Sequence, residues 1–87
     1  MPYTIYLTKA AAKDLTAVPR KTLPHIDATI LSLAANPRPP GSIKLQSTDD
    51  LYRIRKGDFR IIYKIEDAVL IVTVIRVGNR RDVYRDI

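Results

Sequence analysis

Eighty-seven residues are too few to divide between two cores, since a chain this short buries only a little over ~60% of its unfolded surface, so one domain spanning 1–87 is expected. With 46% hydrophobic and 28% charged residues the composition is that of a folded globular protein, and the absence of cysteine excludes both a disulfide scaffold and a thiolate metal site. Fifteen Lys and Arg against nine Asp and Glu leave a formal charge of +6, which favours a polyanionic partner but does not by itself distinguish a nucleic-acid site from a bland basic surface.

Pro2 to Leu7 (PYTIYL) is rich in β-branched and aromatic side chains and predicts a strand. Thr8 then offers a hydroxyl cap to the helix formers KAAAKDL, and this first helix stops before Pro19, because the residue ahead of a proline is pushed out of the helical region. A second helix is capped by Thr22 or a neighbour, tolerates Pro24 in its first turn, and repeats Ile26, Ile30, Leu33 and Ala34 at helical spacing until Asn36 and Pro37 end it. The Pro-rich NPRPPG stretch, Asn36 to Gly41, is short enough to be a connection between elements rather than a linker between domains.

Beyond it the apolar period changes from 3.6 to 2. Strands are expected near Ser42 to Gln46, Leu51 to Lys56, Phe59 to Glu66 and Val69 to Val77, with turns at Thr48-Asp49-Asp50, Gly57-Asp58 and Asp67-Ala68. The last strand is apolar at almost every position and reads as central, covered on both faces, with Gly78 ending it and turning the chain. The expected fold class is α+β: a mainly antiparallel β-sheet with two N-terminal helices packed on one face, in β-α-α-β-β-β order. No stretch is long and apolar enough to span a bilayer, and the run Ala68 to Ile75 falls far short, so a soluble, cytoplasmic protein is expected.

A two-residue loop at Gly57-Asp58 fixes the hairpin register: Lys56 opposite Phe59, Arg55 opposite Arg60, Ile54 opposite Ile61, Arg53 opposite Ile62. Side chains alternate across a sheet, so Arg53, Arg55 and Arg60 share one face, while Tyr52, Ile54, Ile61 and Tyr63 share the other. The apolar set turns to the helices and the arginines to the uncovered face. Arg55 directly across from Arg60 weakens the ladder by like-charge repulsion, and a solvated strand face is the plain explanation for charge there. A phosphate between them converts that repulsion into two charge-assisted contacts, which planar guanidinium groups suit. The C-terminal segment adds Arg80, Arg81, Arg85 and Tyr84, either a solvated end or a basic flank with a ring on which a base stacks.

Metal catalysis is not expected, because the acids are scattered and several mark turns or caps, and no cofactor is expected either. His25, the one histidine, is read as a surface or capping residue, and a two-histidine ribonuclease mechanism is excluded by count. What remains is metal-free phosphoryl transfer in which the RNA 2′-hydroxyl attacks the adjacent phosphate and arginines stabilise the developing charge. Arginine stays protonated, so the base has to come from elsewhere, and Tyr84 among arginines is one candidate.

The separation of the two helices between Leu15 and Pro19, the NPRP turn, YRIRKGDFRIIY from Tyr52 to Tyr63 and VIRVGNRRDVYR from Val74 to Arg85 resemble, in order and over nearly the whole chain, the RelE-type toxins of the RelE/ParE superfamily. The resemblance implies an endoribonuclease that cuts messenger RNA in the ribosomal decoding site, inhibits translation and is silenced by a cognate antitoxin. Matched by position, Arg53, Arg55, Arg60, Arg80 and Tyr84 take the catalytic places, with Lys56, Arg81 and Arg85 as further RNA contacts. Arg53 and Arg55 stand where the best-known bacterial members carry lysines proposed to transfer protons, and Tyr84 follows Arg80 at a shorter spacing. The ParE branch shares the fold and instead poisons DNA gyrase; a silent module docking on ribosomal RNA is a third reading.

Overall fold

The computed structural model describes residues 2–46 and 50–79. Strand β1 (Thr4–Leu7) leads into helix α1 (Lys9–Thr16), and Thr8 caps that helix by accepting from the Ala11 N–H at 3.0 Å. Helix α2 (Leu23–Ser32) begins with Pro24 in its first turn, but the Thr22 hydroxyl makes no capping bond. Four strands follow: β2 (Ile43–Lys44), β3 (Leu51–Lys56), β4 (Phe59–Glu66) and β5 (Ile71–Asn79). They form one sheet in the order β1-β5-β4-β3-β2, antiparallel except where β1 runs parallel to β5.

Both helices lie on the face to which Ile54, Ile61, Tyr63, Ile65, Val72, Val74 and Val77 point, and Ala11, Val18, Ile26, Ile30 and Leu33 complete the core from their side. The α+β class and the one-sided helix layer therefore hold. Several boundaries differ from expectation. The strand near Ser42 to Gln46 contracts to two residues, since its ladder to β3 consists of Ile43 opposite Arg53 and Lys44 opposite Tyr52. The Asp67-Ala68 turn is a 3₁₀ turn over Asp67–Val69, closed by Leu70 in the left-handed region (φ 56°), and β5 starts after it.

The last strand is central in position, flanked by β1 and β4, but it is not covered on both faces. Its burial alternates, with Val72, Val74 and Val77 buried and Ile71, Thr73 and Ile75 only half-buried. Gly78 does not end it either: it pairs with Arg60 inside β5, which continues to Asn79. A bulge explains the uneven spacing of the buried valines, because Ile62 pairs with Arg76 while Tyr63 pairs with Val74, leaving Ile75 as an extra residue.

Where β1 stops, α1 takes over the outer edge of β5. The Thr8 backbone N–H donates to the Val74 carbonyl at 3.0 Å and its hydroxyl to the Ile75 carbonyl at 2.7 Å. Asp14 accepts from the Val77 N–H at 2.9 Å and from Arg76 Nε and Nη2 at 2.8 and 3.2 Å. Backbone groups that a longer β1 would have paired are thus met by side chains of the helix that follows it.

Candidate nucleic-acid interface

The candidate site is built on the β3–β4 hairpin. Gly57 takes φ 59° at the first loop position and Asp58 does not have a positive φ, a combination matching a type II′ loop whose twist suits the flanking strands and whose first position favours glycine. The loop sets the register: Arg55 opposite Arg60, Ile54 opposite Ile61, Arg53 opposite Ile62 and Lys56 opposite Phe59. Tyr52, Ile54, Phe59, Ile61 and Tyr63 all belong to the helix-side core, so parity puts Arg53, Arg55 and Arg60 together on the opposite face.

Two clefts open along these arginines. One, of about 140 Å³, is lined by Arg55, Gly57, Asp58 and Arg60. The other, about 580 Å³, runs past the end of the short β2 and is walled by Arg53 and Arg55 on one side and by Pro40, Gly41 and Ile43 on the other. Arg55 is exposed and shared by both; Arg53 and Arg60 are half-buried, and two of the Arg60 guanidinium nitrogens, Nε and Nη1, are out of solvent. The face is not bare throughout, since Ile62, between Arg53 and Arg76 in the register, is fully buried.

Lys56 departs from the arginine set. Its partner Phe59 packs on the helix-side core, so Lys56 has the parity of that side although it is itself exposed. Arg80, Arg81, Tyr84 and Arg85 lie outside the described residues. His25 is exposed on α2, and its carbonyl accepts from the Thr29 hydroxyl.

Two long-range polar clusters were not visible in the sequence. Arg38, from the Pro-rich loop, binds both carboxylate oxygens of Asp67 at 3.2 and 2.8 Å, donates Nε to the Tyr52 hydroxyl at 3.2 Å and lies 5.2 Å from that ring's centroid. Tyr3 donates to the same Asp67, whose carboxyl is pulled down to about 2 by Arg38 first and Tyr3 second. Beneath them Tyr63, stacked on Tyr52 at 6.0 Å, donates to the Pro37 carbonyl at 2.7 Å, and burial pushes its hydroxyl up to about 12. This network fastens the Pro-rich loop, and with it Pro40 and Gly41, beside the arginine strands. The second cluster is Asp14 with Arg76, at one wall of a cleft of about 410 Å³ that also includes Phe59 and Asn79. No local pattern announces such pairs, whose partners are 14 to 64 residues apart.

Comparison with known proteins places this architecture. Residues 5–84 match the family described as ParE toxin of type II toxin–antitoxin system, parDE. Toxin RelG of Mycobacterium tuberculosis is 30% identical over 86 residues, covering 98% of this chain and 99% of that one, and Toxin RelE of the same organism is 31% identical over 85 residues, covering 97% and 88%. The chain belongs to the RelE/ParE superfamily of toxins. Within it the similarity to RelE-type toxins extends to structure: a chain of the archaeal RelE–RelB complex from Pyrococcus horikoshii matches with a TM-score of 0.82 at 27% identity, covering 95% of this chain and 100% of that one. The toxin–antitoxin complex RelBE2 from Mycobacterium tuberculosis gives 0.81 at 27%, covering 92% and 100%. Among the described residues of this RelE-like toxin no three His, Cys, Asp or Glu side chains gather as a metal site, and no helix is long and apolar enough to cross a membrane.

Proposed function

We propose that this toxin is a ribosome-dependent endoribonuclease that cleaves messenger RNA in the decoding site and so inhibits translation. The observation that carries the reading is the opposition of Arg55 and Arg60 across a phosphate-sized cleft, with Arg53 on the same face. Folding alone disfavours two guanidinium groups on facing positions. A phosphodiester between them is held by charge-assisted hydrogen bonds, and as the adjacent 2′-hydroxyl attacks phosphorus the same donors meet the charge growing on the non-bridging oxygens. Arg80 and Tyr84 are assigned to this site by family position, with Lys56, Arg81 and Arg85 as flanking RNA contacts.

A cognate antitoxin is the second partner. It is supported by the toxin–antitoxin complexes among the structural relatives, and an acidic or apolar segment laid over the basic face would block RNA entry. The cytoplasm, where ribosomes are, is the compartment of action.

The alternative of a gyrase-poisoning ParE toxin is favoured by the family description matched over residues 5–84. One experiment separates the two. Purified toxin is added to a defined translation system, messenger-RNA ends are mapped by primer extension with and without ribosomes, and gyrase supercoiling is assayed in parallel. Cuts at decoding-site codons that require ribosomes are expected; gyrase inhibition without cuts would overturn the nuclease reading.

A further inference from the structure

Cleavage by 2′-hydroxyl attack needs an acceptor for the hydroxyl proton, and the arginines that face the cleft cannot serve because a guanidinium group stays protonated. Lys56 has the parity of the opposite face. The cleft lined by Arg55 and Arg60 is nevertheless also lined by Asp58, a residue that carries a proton-accepting carboxylate and that the sequence marks only as a turn residue. Among the described residues Asp58 and Asp27 form no ion pair within 4.0 Å, whereas Asp14, Asp50 and Asp67 are each bound to a cation, and of the two only Asp58 lines the arginine cleft. A hairpin loop needs glycine at the position Gly57 fills; it does not require an acid at the next.

The geometry points to Asp58 as the general base of the cleavage reaction, an assignment that rests on the nuclease reading above. In the step, the Asp58 carboxylate takes the proton of the 2′-hydroxyl while the 2′-oxygen forms its bond to phosphorus. The bond from phosphorus to the 5′-oxygen breaks, its electron pair leaves with that oxygen, and solvent water supplies the proton that completes the 5′-hydroxyl. The products are a 2′,3′-cyclic phosphate and a 5′-hydroxyl end, and Asp58 returns its proton to solvent. Arg55 on β3 and Arg60 on β4 are the charged groups lining the cleft with it, and they hold the phosphate rather than move protons.

The test uses the intact toxin and its Asp58→Asn, Asp58→Glu and Arg60→Ala variants with ribosomes programmed by a defined messenger RNA. Single-turnover cleavage is timed by primer extension across a pH series, and ribosome binding is measured by co-sedimentation. Asparagine keeps the turn and removes the base, so Asp58→Asn is expected to slow cleavage by about 100- to 10,000-fold, the usual contribution of a positioned acid or base. Binding persists, the acid-side decline of the wild-type rate disappears, and Asp58→Glu recovers part of the loss. Wild-type rate and pH profile in Asp58→Asn, with cleavage lost in Arg60→Ala, would overturn the assignment while leaving the nuclease reading intact. So would loss of ribosome binding in Asp58→Asn, since a proton acceptor is not needed for docking. Absence of cleavage by the wild-type toxin would overturn both.

Discussion

Tyr63 and Pro37 are joined by a buried hydrogen bond of 2.7 Å that ties the most central strand-borne aromatic ring to the Pro-rich loop. Because the Tyr63 ring is fully buried, its hydroxyl has no water to fall back on, and neither does the carbonyl it meets if the hydroxyl is removed. Tyr63→Phe is expected to cost about 1–2 kcal/mol, the penalty for orphaning a buried acceptor. In a domain of this size that corresponds to a fall of roughly 5–10 °C in Tm, measurable by circular dichroism.

Under the proposed nuclease function the opposed arginines set activity against stability. Arg55→Thr replaces a like-charge pair with a strand-favouring side chain and should stabilise the hairpin by a few tenths of a kcal/mol, up to about 1 kcal/mol. The same substitution, like Arg60→Ala, should reduce messenger-RNA cleavage by roughly 100- to 1,000-fold, as loss of a preorganised donor to transition-state charge does. Paired thermal melts and cleavage assays check this: an Arg55→Thr variant that is both less stable and fully active contradicts it.

Asp14 holds two atoms of the Arg76 guanidinium and the Val77 N–H, with side chains only 17% and 24% exposed for Asp14 and Arg76. Asp14→Ala removes the carboxylate from a largely dry position and is expected to cost about 2–4 kcal/mol. The urea midpoint should fall while the m-value stays constant, because the same surface is exposed on unfolding.

The Arg38–Asp67–Tyr3 cluster predicts an acid-sensitive step in stability. Asp67 is depressed to about 2, whereas an unfolded aspartate titrates near ~3.9, so its contribution is complete above about pH 4 and is lost as pH falls towards about 2. The cluster is open to solvent, which limits the effect. Asp67→Asn should melt no more than a few degrees below wild type at neutral pH, with the two curves converging near pH 2; a constant gap across that window would exclude the mechanism.

Local chemistry made part of this fold legible. The Thr8 cap, the Pro19 stop and the Gly57-Asp58 loop each act over a few residues, and a two-residue loop leaves little freedom in the register, so the common face of Arg53, Arg55 and Arg60 follows from it. Features that depend on partners distant in the chain were not legible. The bulge beside Ile75, the passage of β5 through Gly78 and the shortness of β2 are set by what each strand lies against. Arg38 and Asp14 read as ordinary surface charges until the sheet brings Asp67 and Arg76 to them. Asp58 was read correctly as a turn residue, and only the structure shows that it lines a cleft with Arg55 and Arg60.

The parallel pairing of β1 with β5 also has a kinetic consequence. Thr4 through Leu7 have their strand partners at Ile71 through Val74, so β1 has no place in the sheet until β5 has been synthesised. Contacts so distant in sequence close late and slowly, because the intervening chain must first give up its conformational freedom. While the chain is still emerging, the α1 edge and the central sheet are incomplete, and the arginine hairpin lacks the strand that backs Arg60. In a chain built in this order the sheet that carries Arg53, Arg55 and Arg60 is completed only after β5 has been made.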